Sequence, residues 1–520
     1  MTHMRLPAAS ILSLKRRPVI SSQISSARIP LFLGVIECSC ASPTYSTWVS
    51  SWKRRRNDND NGVYLSGKDV SLNIKRHYTN RNLLTLKDRG LISNIFPDKE
   101  NELKNLCVGK PQTVYAGFDP TADSLHVGNL AILMLLLHCQ RAGHTPIALI
   151  GGATGLIGDP SGKNSERPSL ERDVVIRNSE KLARNIFHVF NNHNELFWDN
   201  NKGVQKLPEC LIVNNADWYT KMNSLEFFSK LGRHFRVGQM IMRHSVKSRM
   251  QSDEGISFTE FSYQVFQAYD WYHLFQTYGC KIQLGGHDQM GNIVSGHEYI
   301  SRALNKQVFG ITVPLITSET GDKYGKTAGN AVWLDPEKTS PFEMFQFFVR
   351  TPDDDVERLL KIFTFRTEDE INAIMIKHKA KPETRMPQIL LGSDVTRLVH
   401  GDTGLEKAIK ATEALYSENV DALASIPANE INQLFKGTQT CFSEVYLEPG
   451  TTILSMVLKA KCFDTEKNAK RIIKAGGFSL NYRKISNFDE MVVPGIHILP
   501  NKISLARVGK RNYYVIKWSP

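Results

Sequence analysis

The sequence predicts an α/β protein: a body built on a parallel sheet, then a small helical region, then a compact α+β module. Three observations carry this reading. Short apolar runs at 114–118 and 147–150 each end in turn chemistry, and the first leads into the apolar stretch 130–137. That is the pattern of buried parallel strands with crossover helices. Residues 341–410 have helical periodicity. Residues 452–518 carry a basic helix closed by Gly476-Gly477, with strand-like runs after it, and paired glycines there are a helix-ending signal.

The chain has 520 residues, room for about three domains. Its 41% apolar content is ordinary for a globular protein. A net charge of +13 favours an acidic partner, with nucleic acid the leading candidate. Up to Arg56 there is one acid, Glu37, against Arg5, Lys15, Arg16, Arg17, Arg28, Lys53, Arg54, Arg55 and Arg56, and serines are frequent. This composition reads as a mitochondrial transit peptide, with a polar linker at 57–77 and the mitochondrial matrix as destination. The apolar run 29–36 is too short to span a bilayer, so no membrane partner is expected. Eight scattered cysteines include no Cys-x-x-Cys pair, which argues against a zinc knuckle and for reduced thiols. The expected division is leader and linker 1–77, sheet body 78–336, helical region 337–440 and C-terminal module 441–520.

Along the body, residues 83–95 have helical spacing and run into Pro97, and a second amphipathic stretch covers 98–106. The organising string is Val114-Tyr-Ala-Gly-Phe-Asp-Pro-Thr-Ala-Asp-Ser-Leu-His-Val-Gly-Asn129. It reads as strand, polar turn and helix start, so His126, Gly128 and Asn129 fall at a helix N-terminus, where phosphate binds readily. Gly151-Gly-Ala-Thr-Gly-Leu-Ile-Gly-Asp-Pro-Ser-Gly-Lys163 follows the next strand. Its glycine spacing fits neither a dinucleotide fingerprint nor a P-loop. A strand-like run covers 210–216, and 225–235 is helical, with Arg233, Arg236, Arg243, Lys247 and Arg249 around and beyond it. In 258–270, Tyr263, Gln267 and Asp270 fall on one helical face, a polar triplet in an otherwise apolar helix. Cys280-Lys-Ile-Gln-Leu-Gly-Gly-His-Asp-Gln-Met-Gly-Asn292 reads as a strand ending in a glycine turn before a helix, at the strand end where nucleotides bind in open sheets. Gly321-Asp-Lys-Tyr-Gly-Lys-Thr327 offers two lysines on a glycine-containing loop. Beyond the Ser340-Pro341 boundary, helices are expected at 342–350, 353–363, 368–378 and 388–399, with a linker at 437–449.

These strings resemble the class I aminoacyl-tRNA synthetases, in their tyrosyl branch. His126-Val-Gly-Asn129 is similar to the first class I signature, with Asn129 in place of its second histidine. The 321–327 loop is similar to the second signature, Lys-x-x-Lys-x. The resemblance implies a Rossmann-like catalytic domain and the activation of L-tyrosine by ATP with Mg²⁺, followed by transfer to tRNA(Tyr). It implies that Tyr115, Gly117, Thr154, Asp159, Tyr263, Gln267, Asp270 and Gln289 hold tyrosine, with Asp270 and Tyr115 on the phenol. Asp119, Thr121, His126, Gly128, Asn129, Gly286 and Asp288 would hold ATP. Lys163, Arg167, Lys323, Lys326 and Thr327 would close over the pyrophosphate. Met290 stands where bacterial members carry Trp. No protein-bound metal is expected, and a homodimer is implied. The helical region is similar to the family's anticodon-side domain. The last module resembles a small RNA-binding domain shared with a ribosomal protein, with Lys467, Lys470, Arg471 and Lys474 on its helix as tRNA contacts.

Two alternatives remain on sequence grounds. Tryptophanyl enzymes share the architecture, but Asp270 and Tyr115 suit a phenol better than an indole N–H. A catalytically silent RNA-binding or intron-splicing protein on the same fold would keep the basic module, but would have no use for Asp119, His126, Lys323 and Lys326.

Overall fold

A computed structural model of the chain describes residues 79–520, apart from 164, 199–205, 317–325, 328–329, 417–419, 427–439, 510–511 and 520. The expected leader and linker at 1–77 and Lys323 lie outside the described residues.

Six strands form the central sheet: β1 (Asn94–Phe96), β2 (Thr113–Phe118), β3 (Thr145–Ile150), β4 (Leu211–Asn214), β5 (Ile282–Gly286) and β6 (Phe309–Val313). Their order is β1-β6-β5-β2-β3-β4. All neighbours are parallel except β1, which lies antiparallel on β6. Strand order reverses at β2: the chain moves outward through β3 and β4, then returns to the other side of β2 as β5. Such a reversal opens a crevice at the carboxyl ends of the strands, where open α/β sheets bind ligands.

β3 and β6 are buried along almost their whole length, which is why they read as continuous apolar runs. The helix Val127–Arg141, next after β2, is buried at 12 of its 15 positions. It fills the space against the sheet, so it shows no single apolar stripe.

The expected helix over 83–95 is a short 3-10 turn, Leu83–Lys87, followed by β1. Gly90 at φ +73° takes the chain out of helical geometry, and the edge of β6 then captures 94–96 as a strand. The 98–106 stretch is the helix Glu100–Gly109. The 225–235 stretch is helical but irregular, passing from α to π over Phe227–Leu231 and to 3-10 over Gly232–His234. Phe227, in the wide π turn, packs on Phe266 at 4.7 Å, and Phe235, just past the tighter 3-10 turn, stacks on Tyr299 at 5.3 Å.

The helical region contains Pro341–Val349, Asp353–Phe363, Glu368–Ala380 and Met386–Tyr416. Two reciprocal caps start its helices, Ser340 with Glu343 and Thr367 with Glu370. The last helix breaks direction at Gly401 (φ 72°).

A two-stranded ribbon of β7 (Lys326–Thr327) and β8 (Asn330–Ala331) follows β6 in chain order, and a further sheet of five strands forms the C-terminal module. Its strands are β9 (Thr440–Tyr446), β10 (Phe478–Leu480), β11 (Arg483–Lys484), β12 (Ile503–Val508) and β13 (Asn512–Ser519), in the order β11-β10-β12-β13-β9. Here the expectation of a linker at 437–449 is corrected: 440–446 is an edge strand paired in parallel with β13. Its partner lies some seventy residues further on, and the strand formers Thr440, Phe442, Val445 and Tyr446 do not say what they pair with. Leu499, Ile503, Leu505 and Val515 pack against Phe342, Ala411, Ala414, Leu423 and Ile426, so the module sits on the helical region.

Candidate active site

The crevice beside β2 collects three aspartates from three segments. Asp119 follows β2. Its Oδ1 accepts from Thr154 Oγ1 at 2.7 Å, and its Oδ2 accepts from the Tyr263 hydroxyl at 2.8 Å. Burial outweighs both donors and pushes its carboxyl up to about 6. Asp159, in the glycine-rich loop, accepts from Gln289 Nε2 (2.6 Å), its neighbour's amide Ser161 N (3.0 Å) and Asn292 Nδ2 (3.3 Å). Asp270 lies on the helix Phe258–Tyr278 and is 2% exposed. It accepts from Asn215 Nδ2 and Trp218 Nε1, each at 3.0 Å. Burial again dominates and raises it to about 7.

Asn215 connects two of these carboxylates. Its amide nitrogen also donates to Thr154 Oγ1 (2.9 Å), and its Oδ1 accepts from Ala153 N (2.7 Å). The chain Asp119–Thr154–Asn215–Asp270 is therefore one network, and the Tyr263 hydroxyl ties it to the helix that carries Asp270. Such a network fixes orientation because every member is held from more than one side.

Tyr115, on β2, is 1% exposed, and its hydroxyl has no hydrogen-bond partner. Burial and then the charge of Asp270 push its phenol well above the usual range. On the neighbouring strand, Gln283 is in register with Tyr115, and its Oε1 also lacks a partner. An orphaned buried polar group costs about 1–3 kcal/mol, so this hydroxyl and this amide oxygen together mark where an incoming polar group would bond. Open space lies beside Gly117, where an added Cβ would meet nothing within 4 Å.

At the other end of the crevice, His126 caps the helix Val127–Arg141. Its Nδ1 accepts from Gly128 N (3.0 Å), and Asn129 Oδ1 accepts from His126 N (3.1 Å). Asn129 thus serves first as the reciprocal member of a capping box, and its amide N–H₂ is the group with donors to offer a ligand. Thr121 and Gly128 are exposed at this mouth. Gly162, at φ +68°, lies where a Cβ would sit 3.3 Å from Asp288 Oδ2, so the loop carrying Lys163 closes toward the Gly286–Asp288 turn. Arg167 Nε donates to the carbonyl of Asp159 (2.9 Å). Lys326 and Thr327 form a two-residue strand paired with Asn330–Ala331, and the chain beyond it bridges back to His126 through Trp333. Gln267 is half-buried on the same helix as Tyr263 and Asp270.

The four cations expected to contact RNA lie far along the chain on the helix Glu466–Lys474. Lys470 pairs with Glu466 at 2.6 Å, and Arg471 donates to Asn468 Oδ1 at 2.9 Å. Lys470 and Lys474 each lie 5.3 Å from the Phe488 ring centre. Among the described residues, no group of three or more His, Cys, Asp or Glu could hold a metal ion, and no helix is long and apolar enough to cross a membrane.

The sequence pattern of the class I tRNA synthetases (W and Y) matches residues 109–417, more than half of the chain. The chain belongs to this family. It is 52% identical over 453 residues to the mitochondrial tyrosine–tRNA ligase of Drosophila melanogaster, covering 87% of this chain and 97% of that one. With the human mitochondrial tyrosine–tRNA ligase it shares 48% over 84% of this chain and 91% of that one. With the tyrosine–tRNA ligase of Klebsiella pneumoniae it shares 42%, covering 83% and 97%. Among solved structures, a C-terminally truncated mitochondrial tyrosyl-tRNA synthetase of Aspergillus nidulans superimposes with a TM-score of 0.59 at 33% identity, over 65% of this chain and 95% of that one.

Sequence reasoning about this synthetase missed Asn215, Trp218, Asn292 and Ser161 as site residues. Asn215 and Trp218 follow β4 and precede Asp270 by some fifty residues. The one available signal was the Asn-Asn pair that ends an apolar strand, and it does not say what the amides face.

Proposed function

We propose that the chain acts as a mitochondrial tyrosine–tRNA ligase, with its specificity centred on Tyr115 and Asp270. The observation that carries this reading is the orphaned, buried Tyr115 hydroxyl beside Asp270, whose carboxylate is oriented by Asn215 and Trp218. A substrate phenol donates to Asp270 and accepts from Tyr115, which satisfies both. An amino acid without the hydroxyl leaves them unpaired in a buried site.

Tyr263, Gln267, Thr154, Asp159 and Gln289 hold the ammonium end. A carboxylate opposite an ammonium makes a charge-assisted bond. The substrate carboxylate is already a nucleophile and attacks the α-phosphorus of ATP in line, so pyrophosphate leaves and no general base is needed. Catalysis is then positioning and charge stabilisation. His126, Gly128, Asn129, Asp119, Thr121, Gly286 and Asp288 position ATP. Lys163, Arg167, Lys323, Lys326 and Thr327 neutralise the departing pyrophosphate. Mg²⁺ arrives as part of the ATP substrate, coordinated to its phosphates. The tyrosyl group then passes to the 3′-terminal adenosine of tRNA(Tyr).

The catalytic body 78–336 works with an anticodon-side region at 337–440 and an RNA-binding module at 441–520. Two copies of the chain pair in this reading. Leu225, Phe228, Val237, Met242, Met250 and Phe258 are exposed apolar side chains within 225–258, of the kind that interfaces cover.

Tyrosine-dependent ATP–pyrophosphate exchange, with tryptophan and phenylalanine as controls, tests the reading. Exchange with tyrosine alone is the expected result. No exchange with any of the three, from folded protein that binds ATP, returns the chain to the silent RNA-binding alternative.

A further inference from the structure

One aromatic side chain of the helical region enters a socket of cations and rings in the catalytic body. Phe365 lies in the turn between Asp353–Phe363 and Glu368–Ala380 and is buried. Its ring centre is 5.3 Å from that of His138, 4.7 Å from His193 and 5.6 Å from Phe197. The Arg141 guanidinium lies 4.6 Å from the same ring and 5.2 Å from Trp198. Arg141 is held in place by the carbonyl of Phe197 (3.3 Å) and by His193 Nε2 (3.2 Å).

The turn that presents Phe365 is pinned on both sides. Arg89 donates to the carbonyls of Arg366 (2.7 Å) and Thr364 (2.5 Å). Arg366 in turn forks onto Asp394 at 2.7 and 3.1 Å. A second tie runs beside it: Asn192 Nδ2 donates to the carbonyl of Leu398 at 3.0 Å. A greasy contact would tolerate sliding. A ring face against a fixed guanidinium does not, because the attraction depends on where the cation sits over the ring.

His138 and Arg141 belong to the last turn of the helix Val127–Arg141, whose first turn is capped by His126 and Asn129. The helix is roughly 22 Å long at 1.5 Å per residue. It is buried almost throughout, so it shifts as a unit or not at all. We propose that Phe365 is a positioning residue: by seating on Arg141, His138 and His193, it lets the helical region set where this helix, and therefore its His126–Asn129 end, stands against ATP. Burial together with Arg89, Arg141 and His193 holds His138 neutral, and the cation over the Phe365 ring is the Arg141 guanidinium. The proposal rests on reading His126 and Asn129 as ATP-side groups.

Tyrosine-dependent exchange with the full chain tests it by separating the two substrates. Phe365→Leu keeps apolar volume but removes the ring face. It is expected to raise KM for ATP roughly fivefold, the weight of one cation–π contact, while KM for tyrosine stays within about twofold. Phe365→Tyr restores the ring and is expected to return KM for ATP to the wild-type value. A role confined to stability lowers the folded fraction and leaves both KM values alone. The proposal is overturned if folded Phe365→Leu protein keeps its KM for ATP, or if both KM values rise together. Should Phe365→Leu not fold, Arg141→Met, which keeps the apolar stem and removes the cation, carries the same expectation from the other side of the contact. His126→Ala is the control for the underlying assignment: unchanged exchange in that variant removes the ATP-side reading itself, whatever Phe365 does.

Discussion

The aspartate network and the basic C-terminal helix handle charge in opposite ways. In the catalytic body, Asp119 and Tyr263 are 144 residues apart in sequence and bonded in space, and Asp159 and Gln289 are 130 apart. On the C-terminal helix, Lys470 pairs with Glu466 one turn away, in the open. The first arrangement removes carboxylates from water and aims them, so each loses much if one partner goes. The second leaves cations at the surface in pairings that water and salt weaken, suited to a phosphate backbone that is matched by charge more than by geometry. In the proposed function, buried charge serves selection and exposed charge serves attraction.

The strongest way to break this comparison is at Asp270. Asp270→Ala should lower kcat/KM for tyrosine by about a hundredfold or more, about 3 kcal/mol for a charged hydrogen bond lost in a buried site. The thermal midpoint should move little, since an aspartate raised to about 7 is itself a burden on the fold. Exchange close to wild type would show that the network is structural only. Asn215→Ala should come next, with a loss of roughly tenfold to thirtyfold in the same assay and about 2 kcal/mol of stability, because one side chain holds Ala153, Thr154 and Asp270. An effect on stability without one on KM for tyrosine would separate Asn215 from the pocket.

A pH series sharpens the same point. Asp270, raised to about 7 by burial, holds its proton in the folded protein where the unfolded chain would have lost it. Its contribution to stability is therefore fully present below the ordinary aspartate range, about pH 4, and is lost as the pH rises through about 7. Tyrosine binding runs the other way, since the ionised carboxylate is the better acceptor. KM for tyrosine should fall between about pH 6 and pH 8 in wild type and stay flat in Asp270→Asn. A flat wild-type profile would count against Asp270 as the phenol's partner.

The smallest effect is expected at the other pole. Lys467→Ala with Lys474→Ala should weaken tRNA binding a few-fold and make its salt dependence shallower by about two phosphate contacts, leaving exchange unchanged. A sharp, salt-independent loss would mean that this helix, too, recognises geometry.

Much of the site was legible because its signals are local. Turn chemistry at Asp119-Pro120 and the helix start at His126 are written in neighbouring residues, and Tyr263 and Asp270 stand out as polar positions on an apolar helix. Asn215 and Trp218 were not legible, because nothing within a few residues says that their donors meet a carboxylate some fifty positions later. The same holds for 440–446, which reads as a linker until β13 arrives to pair with it, and for Phe365, an ordinary apolar residue by pattern.

The strand runs at 114–118 and 147–150, the helix start at His126 and the glycine turns were written locally, because backbone sterics and side-chain periodicity act over one or two turns of chain. Which donors orient Asp270, which edge captures 94–96 and 440–446, and which ring meets Arg141 were settled by the folded arrangement. Those choices depend on packing among segments far apart in sequence, where burial makes an unmet hydrogen bond or charge costly and so selects one partner from many.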